Sequence, residues 1–385
     1  MDIREYTSSK DRRNALEKKL AVNLAQIGNF SLDEAIASSR NCENMIGTIQ
    51  VPLGIAGPFT IKHTATIQEY FVPLATTEGA LVASVNRGAK AITLSGGAQV
   101  ISKRIGITRA PVFVVDNLLA GTKVIDWVEK NRQMLKEITE STSSHLTLLD
   151  IKPWQLGKNV FFRFRFDTQD AMGMNMATIA VSQAVKVIEE HTAARCIAVS
   201  GNMCVDKKPS FLNFIEGRGY SIAAEAVIPA DIVSSVLKTN ISDFVEVSQR
   251  KLLYGSLLAG SIGVNAQFAN ILSAVFLATG QDIAHVAECA VGVTTVEETK
   301  DHNLSIAIYL PDLVVGTVGG GTTLDTQKEA LSILGIAGGN NGKNAQKLAE
   351  IIGATVLAGE LSLLASFAEN SLAKAHQKLG RGENV

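Results

Sequence analysis

The chain has 385 residues, of which 46% are hydrophobic and 19% charged, and its formal net charge is −1. That hydrophobic content fills a core and excludes a disordered chain, and the balanced charge excludes a broadly basic nucleic-acid binder. Four cysteines (Cys42, Cys196, Cys204, Cys289) lack metal-type spacing, which argues against a metal or a disulfide framework and for a reducing, cytoplasmic setting.

The first residues, Met1-Asp-Ile-Arg-Glu-Tyr6, are charged at once and lack the apolar segment of a secretory signal. Residues 1–42 read as a short helical N-terminal region. Residues 12–24 form one candidate helix, and Ser31-Leu-Asp-Glu34 is a capping box that opens a second. In residues 43–109, glycine and proline punctuate short strands. Thr76-Thr-Glu-Gly79 then leads into a helix with Leu81, Val82, Val85, Ala89 and Ile92 on one face. Residues 110–199 alternate: strand 111–115, helix 124–138, strand 159–166, helix 176–191, strand 196–199. This alternation predicts a small α/β unit inserted in a larger one. Residues 200–209 connect it back, and residues 210–385 rejoin residues 43–109 in the larger unit. Thr326-Gln-Lys-Glu329 reads as a helix cap, and residues 358–378 as the last helix.

The expected class is therefore α+β, with a large domain around a buried central helix. Residues 252–281, which contain no charged side chain, are the place to look for that helix. The stretch exceeds the ~20 residues that span a bilayer. Asn265, Gln267, Asn270 and the early glycines Gly255, Gly260 and Gly263 fit a helix buried inside protein better than one in lipid.

Chemistry concentrates in a few places. Asp206-Lys-Lys-Pro209 follows the strand at 196–199 and Ser200, setting a carboxylate against Lys207 and Lys208. Ions at a strand end are rarely there for stability, because desolvating them costs more than most pairs return. A solvated turn is the plainer reading of this segment. Asp170-Ala-Met-Gly-Met-Asn-Met176 precedes a helix that Asp170 is placed to cap, leaving free N–H groups for an anion. Gly173 would let a ligand approach, although the methionines alone read as core. Gly316-Thr-Val-Gly-Gly-Gly-Thr322 lacks the ending of a phosphate-binding P-loop. Its glycines mark a tight turn or a close approach to a cofactor. Glu78 lies at a helix start; to donate a proton it needs burial or a neighbouring carboxylate, for which Asp282 is the candidate. His376 near the end reads by itself as a surface residue.

Together these segments resemble the 3-hydroxy-3-methylglutaryl-CoA reductase family. The likeness covers nearly everything after residue 40. It rests on Glu43-Asn-Met-Ile-Gly47, Pro52-Leu-Gly-Ile-Ala-Gly-Pro58, Ala75-Thr-Thr-Glu-Gly79, Asn86-Arg-Gly88, Asp170 to Met176, Asp206-Lys-Lys-Pro209, Ile215-Glu-Gly-Arg-Gly219, Gly280-Gln-Asp282 and Gly316 to Thr322. The Thr-Thr-Glu-Gly, Asp-Lys-Lys-Pro and triple-glycine forms are similar to the class I branch, here without the membrane anchor of its animal members. The resemblance implies two-step reduction of the branched thioester to mevalonate and CoA with NADPH. It implies Glu78, Lys207, Asp282 and His376 as the reacting residues. Arg109, Ser200, Asp206, Lys208, Lys251 and Asn270 would bind substrate. Ser143, Ser144, Asp170, Met172, Gly173, Met174, Asn175, Gly319 and Gly320 would bind the cofactor. It further implies a ferredoxin-like cofactor domain at 110–199 and a homodimer or homotetramer, with active sites shared between chains and residues 43–47 in the interface.

Three positions depart from the family pattern. Ser144 stands where an arginine usually binds the cofactor 2′-phosphate, which leaves NADH open. The segment from Gly263 to Gln267 is one residue short and lacks a histidine, and Gly382 replaces a regulatory phosphoserine. Two other functions fit the same residues: oxidation of mevalonate, and binding of CoA esters without turnover.

Overall fold

The computed structural model describes residues 2–63 and 66–369. The chain opens with α1 (Ser9–Leu20) and α2 (Glu34–Arg40). The first helix starts at Ser9, ahead of the expected position, because Ser8 caps it by accepting the Asp11 N–H. The second is capped by Asp33 and not by the Ser31 box; Glu34 instead accepts the Ser9 N–H and ties the two helices together.

The hairpin β1 (Leu53–Lys62) and β2 (Ile67–Ala75) leads to α3 (Leu81–Leu94) and the long β3 (Ala98–Arg109). Next come β4 (Val112–Val114), α4 (Leu118–Lys130), α5 (Arg132–Glu140), β5 (Thr147–Leu156), β6 (Asn159–Asp167), α6 (Met174–His191) and β7 (Arg195–Ala198). The helix expected over 124–138 is thus two helices. Asn131 leaves helical geometry and folds its amide onto the Trp127 carbonyl, ending α4. The strands run β7-β4-β6-β5, all antiparallel, with helices in the β4–β5 and β6–β7 connections. This is a split βαβ pattern.

The chain continues through α7 (Phe211–Glu216), β8 (Arg218–Ile228), α8 (Ala230–Ser235), α9 (Ile241–Val247), a π-helical stretch Ser248–Gly255, and α10 (Ser256–Ala259). It ends with α11 (Phe268–Thr279), α12 (Val286–Cys289), β9 (Val293–Glu298), β10 (Leu304–Leu313), α13 (Asp325–Ile333) and α14 (Lys343–Ala368). Strand β3 joins the two parts. From Gln99 to Gly106 it pairs with β8, and from Ile107 to Arg109 with β6, across an irregularity between Arg104 and Gly106.

Two expectations about the core need correction. The uncharged stretch 252–281 is not one helix. Gly260 takes left-handed geometry and ends α10, Leu258 is 92% exposed, and only α11 is buried on most sides. The central helix is α14, which begins well before residue 358. Apolar side chains on all its faces pack against α3, α11 and the strands β3, β8 and β10. Among the described residues it alone is long and apolar enough to cross a membrane, and most of it lies inside the protein. Two acids on it, Glu350 and Glu360, are paired. Glu360 accepts the N–H groups of Ala266 and Gln267 and the Thr294 hydroxyl, and Glu350 binds His63 and Ser102. At Gly88 a Cβ would fall 1.8 Å from the Ala358 oxygen, so α3 and α14 meet backbone against backbone. The expected Thr326 cap is absent: α13 follows Leu324 with no side-chain cap.

Candidate active site

The loop after β7 is wound tightly. Asn202, Val205 and Lys207 all take positive φ (66°, 50° and 60°), which non-glycine residues rarely adopt and β-branched ones least of all. Such strain persists only where the surroundings enforce it, and it clusters at functional sites. The enforcement is visible at Lys207, whose N–H donates to Glu288 Oε1 at 2.9 Å. With the backbone held there, the side chain reaches Asp282 at the end of α11, and Nζ lies 2.7 Å from Asp282 Oδ2. Burial alone would raise the Asp282 carboxyl. The Lys207 ammonium, the Ala284 N–H and nearby His285 outweigh it and hold the group below its usual value.

Beneath this pair lies a buried ionic cluster. Arg218, fully buried at the start of β8, donates to both oxygens of Glu288 (2.7 and 2.8 Å), to Asp206 Oδ1 (3.0 Å) and to Thr108. Burial works against its charge, and Glu288, Asp312 and Asp206 outweigh the burial. Asn213 bridges Glu288 and Asp312. Burial, and then the Glu288 charge, push the Asp312 carboxyl well above its usual range. Ligand-type atoms of Asp206, His285 and Glu288 lie close together as if for a metal. Arg218 already supplies a cation that donates to both of these carboxylates.

Lys207, Asp206, Asp282 and Arg109 open onto a cleft of about 700 Å³. One wall is the loop from Ala171 to Met176 and the start of α6; the other is the glycine loop from Gly316 to Leu324. The first turn of α6 has no side-chain cap, and its residues Met174, Asn175 and Met176 line the cleft. The four glycines of the second wall divide the work. A Cβ at Gly316 would strike Met172 N at 2.4 Å, and one at Gly321 would strike Gly280 O at 2.6 Å, so these two serve close packing. Gly319 and Gly320 have open space around them and φ of 77° and 54°, the bend that only glycine makes easily.

Three residues expected at the cofactor, Asp170, Ser143 and Ser144, do not line this cleft. Asp170 does not cap α6. Its carboxylate, 4% exposed, accepts the N–H groups of Asn340, Gly342 and Ala345 and so caps α14. Its own carbonyl accepts Thr317 N–H, so one residue ties both cleft walls to the central helix. Met174 points inward, with Sδ 2.8 Å from Arg218 Nη2. Met172, Gly173, Met174 and Asn175 all line the cleft, whereas Ser143 and Ser144 are not among its lining residues. We expect Asp170→Asn, which weakens a charged cap over three N–H groups, two of them buried, to lower stability by about 1–3 kcal/mol. Because it also loosens both walls, KM for the cofactor should rise more than kcat falls. Denaturant titration and steady-state kinetics check this.

The remaining expected residues fall elsewhere. Glu78 Oε1 accepts from Asn270 Nδ2 at 3.3 Å, so these two form a group of their own. Lys251 stacks its ammonium 4.7 Å over the Phe367 ring, beside a separate cleft bordered by Asp243 and Arg250. Neither Glu78, Asn270 nor Lys251 lines the cleft that holds Lys207. Ser200 Oγ contacts Cys204 Sγ, and Lys208 Nζ donates to the Asp206 carbonyl. His376 and Gly382 lie outside the described residues. The sequence reading missed His285, Glu288, and Arg40 and Asn41, which bring the N-terminal region to the cleft rim.

A sequence profile of the hydroxymethylglutaryl-coenzyme A reductase family matches residues 8–381. The chain belongs to this family. It is similar to the 3-hydroxy-3-methylglutaryl-coenzyme A reductases of Pyrococcus abyssi (50% identical, covering 96% of this chain and 92% of that one) and Methanocaldococcus jannaschii (49%, 96% and 92%). That of Dictyostelium discoideum is 42% identical over 97% of this chain and 68% of its own length. Among solved structures, the class II reductase of Streptococcus pneumoniae bound to NADPH superposes with a TM-score of 0.71 at 18% identity, over 95% of this chain and 98% of that chain. The fold is thus shared at low identity.

Proposed function

We propose that the chain reduces 3-hydroxy-3-methylglutaryl-CoA to mevalonate and CoA, consuming two reduced nicotinamide dinucleotides, NADPH or NADH. The observation that carries this is the Lys207–Asp282 pair at 2.7 Å, opening onto a cleft with an uncapped helix start on one side and bare glycines on the other. The cleft fits an anionic dinucleotide. The α6 N-terminus offers N–H groups and a positive dipole end, and Arg40 adds a guanidinium to the cleft lining. Bound there, the dinucleotide supplies hydride.

The chain's own residues supply the rest. Lys207 holds its ammonium where charge develops on the carbonyl oxygen, and Asp282 keeps it charged and aimed. Arg109, Lys208 and Lys251 suit the carboxylate and phosphates of the thioester. Glu78, kept in place by Asn270, is the proton donor to the alkoxide oxygen left by the second hydride, giving the alcohol, and His376 is assigned to protonating the departing thiolate. Because Glu78, Asn270 and Lys251 sit apart from the Lys207 cleft, the reading includes a site completed by a second copy of the chain. The exposed apolar side chains Ile49, Leu53, Phe71, Leu257 and Leu258 support such pairing. The class I expectation is kept on its Thr-Thr-Glu-Gly and Asp-Lys-Lys-Pro motifs.

The test is substrate-dependent loss of nicotinamide absorbance, followed with NADPH and NADH in turn. Turnover of the thioester with either is expected. Binding of the thioester with no absorbance loss would leave only a CoA-ester-binding role.

A further inference from the structure

His285 follows Asp282 by three residues, and Glu288 follows His285 by three more. A short 3₁₀ turn, Ile283–His285, and α12 wind this spacing so that His285 stands between the two acids. The imidazole is 1% exposed. Its Nδ1 bonds Glu288 Oε1 and lies 3.9 Å from Asp206 Oδ1. Its Nε2 lies 3.9 Å from Asp282 Oδ2, is buried, and has no hydrogen-bond partner.

An orphaned buried nitrogen has lost its water without gaining a partner, so it calls for a reason. Its neighbours are already engaged: Glu288 takes the Lys207 N–H, Arg218 and Asn213, and Asp206 takes Arg218. Asp282 Oδ2, 3.9 Å from Nε2, is the carboxylate that faces it, and at present that oxygen is drawn to Lys207. A swing of the carboxylate by about 1 Å would bring it to hydrogen-bond distance.

We propose that His285 is a positioning residue for the reacting pair: as the imidazolium, with an N–H on each ring nitrogen, it donates from Nδ1 to Glu288 and its Nε2–H takes hold of Asp282 when Lys207 shares its ammonium with the substrate oxygen. The carboxylate then stays fixed while its first partner is drawn away. Each reduction in turn finds Lys207 returning to the same place. Glu288 is the anchor at both ends, fixing the imidazole through Nδ1 and the Lys207 backbone through its N–H. The role rests on the reductase reading above.

The test compares His285→Gln, which keeps a polar atom at the Nε2 position, with His285→Asn, which keeps one only at the Nδ1 position. Thioester turnover, KM and thermal midpoint are measured for both. His285→Asn should lose up to about 100-fold in kcat, the scale of a misplaced catalytic group, with KM nearly unchanged. His285→Gln should stay near wild type in kcat. A purely structural histidine would lower both thermal midpoints and leave kcat alike in the two variants, and that result overturns the proposal. An inactive wild type would instead remove the reductase reading itself. A second measurement does not depend on how the variants fold. In imidazole ¹⁵N spectra of the wild type with and without the bound thioester, nicotinamide being withheld, one buried Nε2 signal should move. If none moves, His285 does not address Asp282.

Discussion

Lys207→Ala should lower kcat by roughly 100- to 1,000-fold or more, the cost of removing one preorganised donor from a developing oxyanion. The same change should leave the fold intact. The side chain is 40% exposed and its ion pair with Asp282, itself 36% exposed, stands at the cleft surface. Exposed pairs of that kind contribute about 0–1 kcal/mol. The left-handed backbone at this position is held by Glu288 through the N–H, which alanine retains. Kinetics and a denaturation curve on the same preparation separate the two effects; substantial residual turnover would reject the assigned role. The variant also tests whether the site is shared. If Glu78 and Lys207 meet only across two chains, co-folded Lys207→Ala and Glu78→Gln subunits regain about a quarter of wild-type activity, because each mixed dimer carries one unaltered site. If both residues act within one chain, mixing restores nothing.

Much of the site could be read before the fold. Lys207 and Asp282 lie 75 positions apart, and their motifs resembled a family in which they act together; the structure puts them in contact. The glycines of the second wall were also legible, since closely spaced glycines in a loop need a steric reason. What stayed hidden is long-range pairing of acids with backbone. Asp170 was assigned to the nearest helix start, a local rule that usually holds. The fold brought a better-aligned set of three N–H groups from residues 340–345, which nothing local announces. Helix α14 was misplaced for a related reason. Its apolar residues cover every face, so it has no stripe to mark where it begins, and the charge-free run at 252–281 drew attention away from it. His285 and Glu288 did leave a signal. Two titratable residues three apart, directly after a candidate catalytic aspartate and inside an otherwise apolar run, share one helical face.

Arg218→Met should be the most destabilising single change in the cluster, by about 3–5 kcal/mol, the cost of removing one partner from a buried ion pair. Methionine fills similar volume, so a cavity contributes little, and the loss is electrostatic. Glu288, 1% exposed, would be left beside Asp206 with only His285, Asn213 and the Lys207 N–H to support it. The sign of the pH dependence follows from the wild type. Burial would raise the Glu288 carboxyl, but the His285 hydrogen bond and Arg218 together hold it below its usual value. A depressed acid contributes stability that is complete above the ordinary carboxylate range and is lost as pH falls through the depressed folded value. Removing Arg218 shrinks that depression, so the variant's Glu288 takes up a proton at higher pH than the wild type's and sheds its uncompensated charge. The stability gap between the two proteins should therefore be widest near neutral pH and narrow on acidification. Asp312 does not reverse this trend, because burial and Glu288 already favour its protonated form in the wild type. Denaturant midpoints taken from neutral pH downward decide the matter: a gap that is constant or grows towards acid would show that Arg218 acts through packing and not through the charge of Glu288.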